Sequence, residues 1–211
     1  MFRDRKQAGE SLVKALEEKQ IDFDVVIAVP RGGVVVAELV ANHFRCPLDV
    51  VMAKKMGSPD LPDYVTGAVS PDGEVLIAER VKDLFNIEKA DIDKLAEITK
   101  VSINRRLKEY RNFRPPVSVE GKRILLVDDG IVSGFTMKAA IRYLKRQKIS
   151  RISIAVPLSS KTAYLNLLEE VDCLLALKVP ENLYAVGQYY EDFSTVDDNK
   201  VIEILKRRKY H

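Results

Sequence analysis

Five short and largely apolar runs recur along this chain with helical periodicity between them: Val25–Val29, Leu48–Ala53, Arg123–Val127, Arg151–Val156 and Cys173–Val179. Runs that stay apolar instead of alternating suit strands buried on both faces, and such strands are laid side by side through helical crossovers. The pattern predicts an α/β fold with a mostly parallel sheet. Helices are expected over Asp4–Lys19, with Asp4 as its cap, and over Val34–His43, Phe135–Lys145 and Ala163–Leu168.

The chain has 211 residues, of which 46% are hydrophobic and 31% charged, enough for one domain with a large core and too much apolar content for general disorder. Its net charge is only +3, so a basic site would have to be local. No apolar run reaches the length of a bilayer span, and the charged amphipathic start is unlike a signal sequence. A soluble, cytoplasmic protein with no membrane partner is expected. Cys46 and Cys173 stand far apart, with no second cysteine or histidine at metal-ligand spacing, and are expected to be buried, reduced thiols. His43 and His211 are expected to be structural or incidental.

Between Ser58 and Glu120 the alternation is interrupted. A proline-rich loop leads to a hairpin over Thr66–Ala78, turning at Ser70-Pro71-Asp72-Gly73, and then to a long polar helix ending near Tyr110. This reads as an arm inserted into a single domain of residues 1–211, with 180–211 as an aromatic C-terminal tail. Ile92, Leu95, Ala96, Ile103 and Leu107 form the face that would pack on the domain, while Arg105, Arg106, Arg111 and Arg114 suit either a solvated face or contact with phosphate or RNA.

The chemistry concentrates in Val127-Asp128-Asp129-Gly130-Ile131-Val132-Ser133-Gly134-Phe135-Thr136. In an open α/β sheet, ligands bind at the carboxyl ends of the strands, where this carboxylate pair falls. Adjacent carboxylates can accept hydrogen bonds from vicinal sugar hydroxyls or help to hold a divalent cation. The turn behind them offers backbone N–H groups and the hydroxyls of Ser133 and Thr136 at the positive end of a helix, a cradle for a phosphate monoester. Together these describe recognition of a ribose 5-phosphate.

Val127 to Thr136 resembles the phosphoribosyl diphosphate (PRPP) motif of the type I phosphoribosyltransferases at every defining position, with Ser133 for the commoner threonine and a bulky Phe135. The resemblance implies a three-layer fold with a mostly parallel central sheet, an inserted flap and a C-terminal hood. It implies PRPP contacts along Asp128, Asp129, Gly130, Ile131, Val132, Ser133, Gly134, Phe135 and Thr136. Val29-Pro30-Arg31-Gly32-Gly33 resembles the family's pyrophosphate loop, which implies diphosphate contacts at Arg31, Gly32 and Gly33 and a cis Arg31–Gly32 bond. Lys54-Lys55 would end the second strand, with Lys55 facing the diphosphate and joining Asp128 and Asp129 in catalysis. Asp60–Val69 would be the flap that excludes water from the reacting centre.

The stretch Leu183–Phe193 is similar to the hood of the 6-oxopurine enzymes. By that likeness Tyr184 and Val186 would contact the acceptor base, and Glu191, with Asp128, would hold magnesium, otherwise bound mainly through PRPP. The same aromatics equally suit a core or an interface. Val132 contributes to the acceptor side but stands where those enzymes carry an aspartate for the purine N7, and an apolar group moves no proton. The resemblance thus implies a magnesium-dependent transferase of nucleotide metabolism, a homodimer, taking PRPP and a nucleobase or similar nitrogen acceptor, with nucleic acid not a partner. The rival is a non-catalytic PRPP or nucleotide sensor, to which the basic end Leu205-Lys206-Arg207-Arg208-Lys209 would also be suited.

Overall fold

A computed structural model describes residues 1–57, 65–77 and 89–207 of the protein. The chain runs α1 (Arg5–Glu18), β1 (Val25–Ala28), α2 (Gly32–His43), β2 (Leu48–Val50), β3 (Lys54–Gly57), β4 (Val65–Val69), β5 (Val75–Ile77), α3 (Lys89–Tyr110), β6 (Arg123–Val127), α4 (Phe135–Arg146), β7 (Arg151–Leu158), α5 (Lys161–Leu168), β8 (Cys173–Lys178) and α6 (Asp198–Lys206). A five-stranded sheet is ordered β2-β1-β6-β7-β8, with every pairing parallel. The hairpin strands form a separate antiparallel sheet, β3-β4-β5, closed by a turn in which Gly73 N–H donates to Ser70 O at 2.9 Å.

Strand parity sorts the core into two layers. Val26, Ala28, Leu125 and Val127 face α1, α2 and α6, meeting Leu12, Leu16, Val36, Val40 and Ile204. Their neighbours Val25, Ile27, Ile124 and Leu126 face α4 and α5, meeting Met137, Ile141, Leu144 and Leu167. A period of two on strands buried from both sides requires this division. The arm is part of the first layer: Ala96, Ile103, Leu107 and Tyr110 of α3 are buried in it.

All four arm arginines meet partners within the chain. Arg111 is the most committed, donating to both Asp49 oxygens at 2.8 and 3.1 Å and to Val50 O at 2.9 Å. Arg114 donates to Leu205 O at 2.7 Å, Arg105 lies 3.8 Å from Glu109, and Arg106 lies 3.8 Å from Asp198. Neither Cys46 nor Cys173 is in a disulfide, and both are half-buried instead of buried, Cys46 against the first layer and Cys173 at the start of the edge strand β8. His43, which ends α2, is bonded to Glu17 at 2.7 Å.

Two local expectations need correction. Lys54 and Lys55 do not end the second core strand, which stops at Val50; they open β3, where Lys55 pairs with Ala68 and its side chain is exposed. Their backbone groups are drawn into the antiparallel hairpin ladder and away from the parallel sheet. The cis bond is Pro30–Arg31, one peptide earlier than expected. Arg31 O already accepts from Val34 N–H at 3.2 Å, so the Arg31–Gly32 peptide belongs to the first turn of α2 and the chain reversal falls before it. Residues Asp60–Tyr64 of the expected flap, Arg208 and Lys209 of the basic end, and His211 lie outside the described residues; Val65–Val69 of the flap form β4.

Candidate functional site

Asp128 and Asp129 directly follow β6, in the middle of the sheet, and the loop between β1 and α2 lies against them. The fit is close enough to require glycine twice. A Cβ on Gly33 would lie 2.8 Å from both the Cα and Oδ1 of Asp128, and one on Gly32 would lie 1.8 Å from Asp129 Oδ2. The two motifs separated by about a hundred residues of sequence thus form one site, and backbone approaches the carboxylates where side chains cannot.

The loop after the acids is held by the neighbouring strand. Ile131 N–H donates to Leu158 O at 3.0 Å, and Ser160 N–H donates to Ile131 O at 2.8 Å. Ser160 Oγ also donates to Val132 O at 2.6 Å. Gly134, in the left-handed conformation with φ of 76°, turns the chain into α4. Ser133 is exposed, and Phe135 and Thr136 are half-buried in the first turn.

Capping separates the helices of the site from their neighbours. Asp4, Ser160 and Asp197 accept backbone N–H groups at the starts of α1, α5 and α6. Arg31 and Gly134, which begin α2 and α4, make no side-chain cap bond, and neither helix has an acidic residue in its first turn. The two helix starts that flank the acid pair therefore lack a side-chain cap and a first-turn acid of their own, an arrangement suited to binding anions.

The acid pair is electrostatically unequal. Asp129 is met by Arg5, whose Nε donates to Oδ2 at 2.7 Å. Asp128 accepts the Asp129 N–H on Oδ1 at 2.8 Å, and burial, followed by the adjacent charge of Asp129, pushes its carboxyl well above the usual range. Arg31, half-exposed, extends toward α6, where its Nη1 lies 3.7 Å from Asp198 Oδ1.

The hood is built from both ends of the chain. Phe2 N–H donates to Tyr189 O at 2.7 Å and Glu191 N–H donates to Phe2 O at 2.8 Å, a parallel bridge that carries α1 to the site. Phe2, Leu158, Leu183 and Tyr190 form a buried cluster, with Val132 and Val186 packed against it. Val186 opens a short 3-10 turn, Val186–Tyr189, and its methyl groups leave no room for a Cβ on Gly130. So the structure joins Val132 and Val186, whereas Tyr184 is 79% exposed and Glu191 has an exposed side chain.

Two residues of this centre escape a motif reading. Tyr190, next to the expected Glu191, is buried and donates its hydroxyl to Asp129 O at 2.7 Å. Burial, with the charge of Asp129 behind it, raises its pKa, which keeps it a neutral donor. Arg5 is the other. An arginine in the first turn of a helix opposes the dipole, and that misfit is the sequence signal that it serves another partner.

Among the described residues no group of three or more His, Cys, Asp or Glu is arranged to hold a metal. The donor set nevertheless suits magnesium, a hard cation usually bound by one or two carboxylates together with substrate phosphates and water. No helix among the described residues is long and apolar enough to cross a membrane.

Residues 3–192 match the model of the phosphoribosyl transferase domain. The chain is 31% identical over 207 residues to a Mycobacterium tuberculosis protein provisionally named a phosphoribosyl transferase, covering 98% of this chain and 47% of that one, about half its length. It is 28% identical over 153 residues to a transcriptional regulator of Methanothrix thermoacetophila, covering 72% of this chain and 53% of the regulator. Among solved structures it is similar to the TT1426 protein of Thermus thermophilus, with 35% identity, 98% of each chain covered and a TM-score of 0.82. With the motif, the parallel sheet and these likenesses in agreement, the chain belongs to the phosphoribosyl transferase domain family.

Proposed function

We propose that the protein is a magnesium-dependent phosphoribosyltransferase that moves the 5-phosphoribosyl group of PRPP to a nitrogen of a nucleobase or similar acceptor. The observation that carries this reading is the pair of uncapped helix starts on either side of an acid pair. PRPP has the matching order of groups: a phosphate for α4, vicinal hydroxyls for the carboxylates, and a diphosphate for α2.

In this reading the 5-phosphate is held by the Gly130–Thr136 loop, including the Ser133 and Thr136 hydroxyls. The ribose hydroxyls face Asp128 and the free oxygen of Asp129. The diphosphate takes the Arg31, Gly32 and Gly33 loop, with Lys55 as a further cation. The acceptor nitrogen forms its bond to C1 as the bond from C1 to the diphosphate oxygen breaks, and pyrophosphate leaves with that electron pair. Positive charge that develops on the ribose ring is stabilised by the carboxylates. Magnesium, when bound, would neutralise charge on the leaving diphosphate; in this reading Asp128 would help to hold it, with Glu191 as a second candidate. The acceptor lies between the loop and the hood, against Val132 and Val186, with Tyr184 free to fold over it. A cytoplasmic homodimer remains part of the proposal.

Val132 favours a second reading, a PRPP- or nucleotide-binding regulator of the same fold. Its apolar side chain packs into the hood cluster and offers no proton relay to an acceptor ring, and one relative is a transcriptional regulator. Pyrophosphate release, screened across nucleobases with PRPP and magnesium, separates the two. Release with one base establishes the transferase and names its acceptor; PRPP binding without release with any base supports the regulator.

A further inference from the structure

Asp129 is held by the hood at both its polar ends. Its Oδ2 accepts from Arg5 Nε at 2.7 Å, and its carbonyl oxygen accepts from the Tyr190 hydroxyl at 2.7 Å. Arg5 reaches on into the hood: Nη1 donates to Ser194 O at 2.8 Å, and the guanidinium carbon lies 3.8 Å from the centre of the Phe193 ring. That ring meets Tyr190 at 5.0 Å, and Tyr190 meets Phe2 at 5.5 Å. Residues 2–5 and 189–194 are thus one unit, clipped to the core at Asp129.

The same contacts remove Asp129 Oδ2 from ligand duty. Arg5 occupies it on one side, and Gly32 stands so near on another that even a methyl group could not be accommodated. Among the described residues Asp128 makes no comparable link to the hood; its Oδ1 accepts the neighbouring Asp129 N–H at 2.8 Å. We propose that the two acids divide their work: Asp128 reads the ribose without a tie to the hood, Asp129 anchors the hood through Oδ2 and its carbonyl while its other carboxylate oxygen faces the ribose, and Arg5 is the positioning residue that joins the hood to the acid pair. This rests on the site being a PRPP pocket. It means that hood order and PRPP affinity are coupled through Arg5, which does not itself touch the ribose.

Backbone hydrogen exchange and PRPP titration with magnesium, on the full chain and on D128N, D129N, R5Q and R5K, test the division. D129N and R5Q are expected to speed exchange at Phe2, Glu191 and Asp192 by at least about tenfold while β6 stays protected. R5Q weakens PRPP binding about tenfold, R5K recovers part of both effects, and the R5Q/D129N double variant exchanges no faster than either single one. D128N loses PRPP binding with hood exchange at the wild-type rate. Unchanged hood exchange in D129N, or equal acceleration in D128N, overturns the proposal. Failure of the wild type to bind PRPP overturns the PRPP reading instead, while the exchange rates, measured without ligand, still decide whether Asp129 anchors the hood.

Discussion

Arg5 and Asp129 stand 124 residues apart in sequence and 2.7 Å apart in space, with side-chain exposures of 10% and 12%. The contact brings the first helix of the chain to the acid pair of the central strand and gives that pair a cation of its own. It makes Asp128 the carboxylate that bears the cost of burial beside a neighbouring negative charge.

That cost has a pH signature. An acid whose pKa is higher in the folded than in the unfolded state holds its proton more tightly when folded, so stability falls as pH rises from the ordinary carboxylate range toward the raised value. Replacing Asp128 by Asn removes the loss. D128N is expected to melt above the wild type at neutral pH, and the difference should close below about pH 4, where both states of the wild type are protonated. Thermal unfolding at a series of pH values measures this; an offset that does not vary with pH would contradict it.

Gly33 is expected to tolerate no side chain. Its Cβ would meet the Cα of Asp128, which is backbone and cannot swing aside. Gly33→Ala should cost about 1–3 kcal/mol in urea unfolding and weaken PRPP binding by displacing Asp128. Wild-type stability in the variant would mean that the loop and β6 are less closely apposed.

Tyr190→Phe keeps the ring in its aromatic cluster and leaves the Asp129 carbonyl without its donor. The expected loss is about 1–3 kcal/mol, read from denaturant unfolding, with the ring contacts to Phe2 and Phe193 retained.

The Arg111–Asp49 pair tests stability apart from function. Asp49 is 4% exposed and also accepts from Val50 and Val117 N–H, so removing Arg111 leaves a buried carboxylate short of its cation. Arg111→Met should cost about 3–5 kcal/mol and, where it folds, bind PRPP as the wild type does. A change in PRPP affinity at constant stability would place Arg111 in the binding site after all.

Much of this architecture is written locally. Val25–Ala28 and Ile124–Val127 alternate between two core layers because both faces of their sheet are covered, and the unbroken apolar runs carry that information. The PRPP motif is equally local, since the strand, acids, turn and helix are consecutive residues. Less legible are features set by tertiary pairing. Lys55 reads as a strand end but is taken into a hairpin by Ala68, and the reversal before α2 falls at Pro30–Arg31 because Arg31 O is already spent on the helix. The hood joins residues at opposite ends of the chain, so a local reading selects exposed Tyr184 over buried Tyr190 and passes over Arg5.

The proposed PRPP site is the acid pair together with the two helix starts beside it. Calorimetric titration of PRPP with magnesium into the wild type and D128N tests this most directly. Saturable binding by the wild type and its loss in D128N is the predicted result; no binding by the wild type, or undiminished binding by D128N, would contradict it.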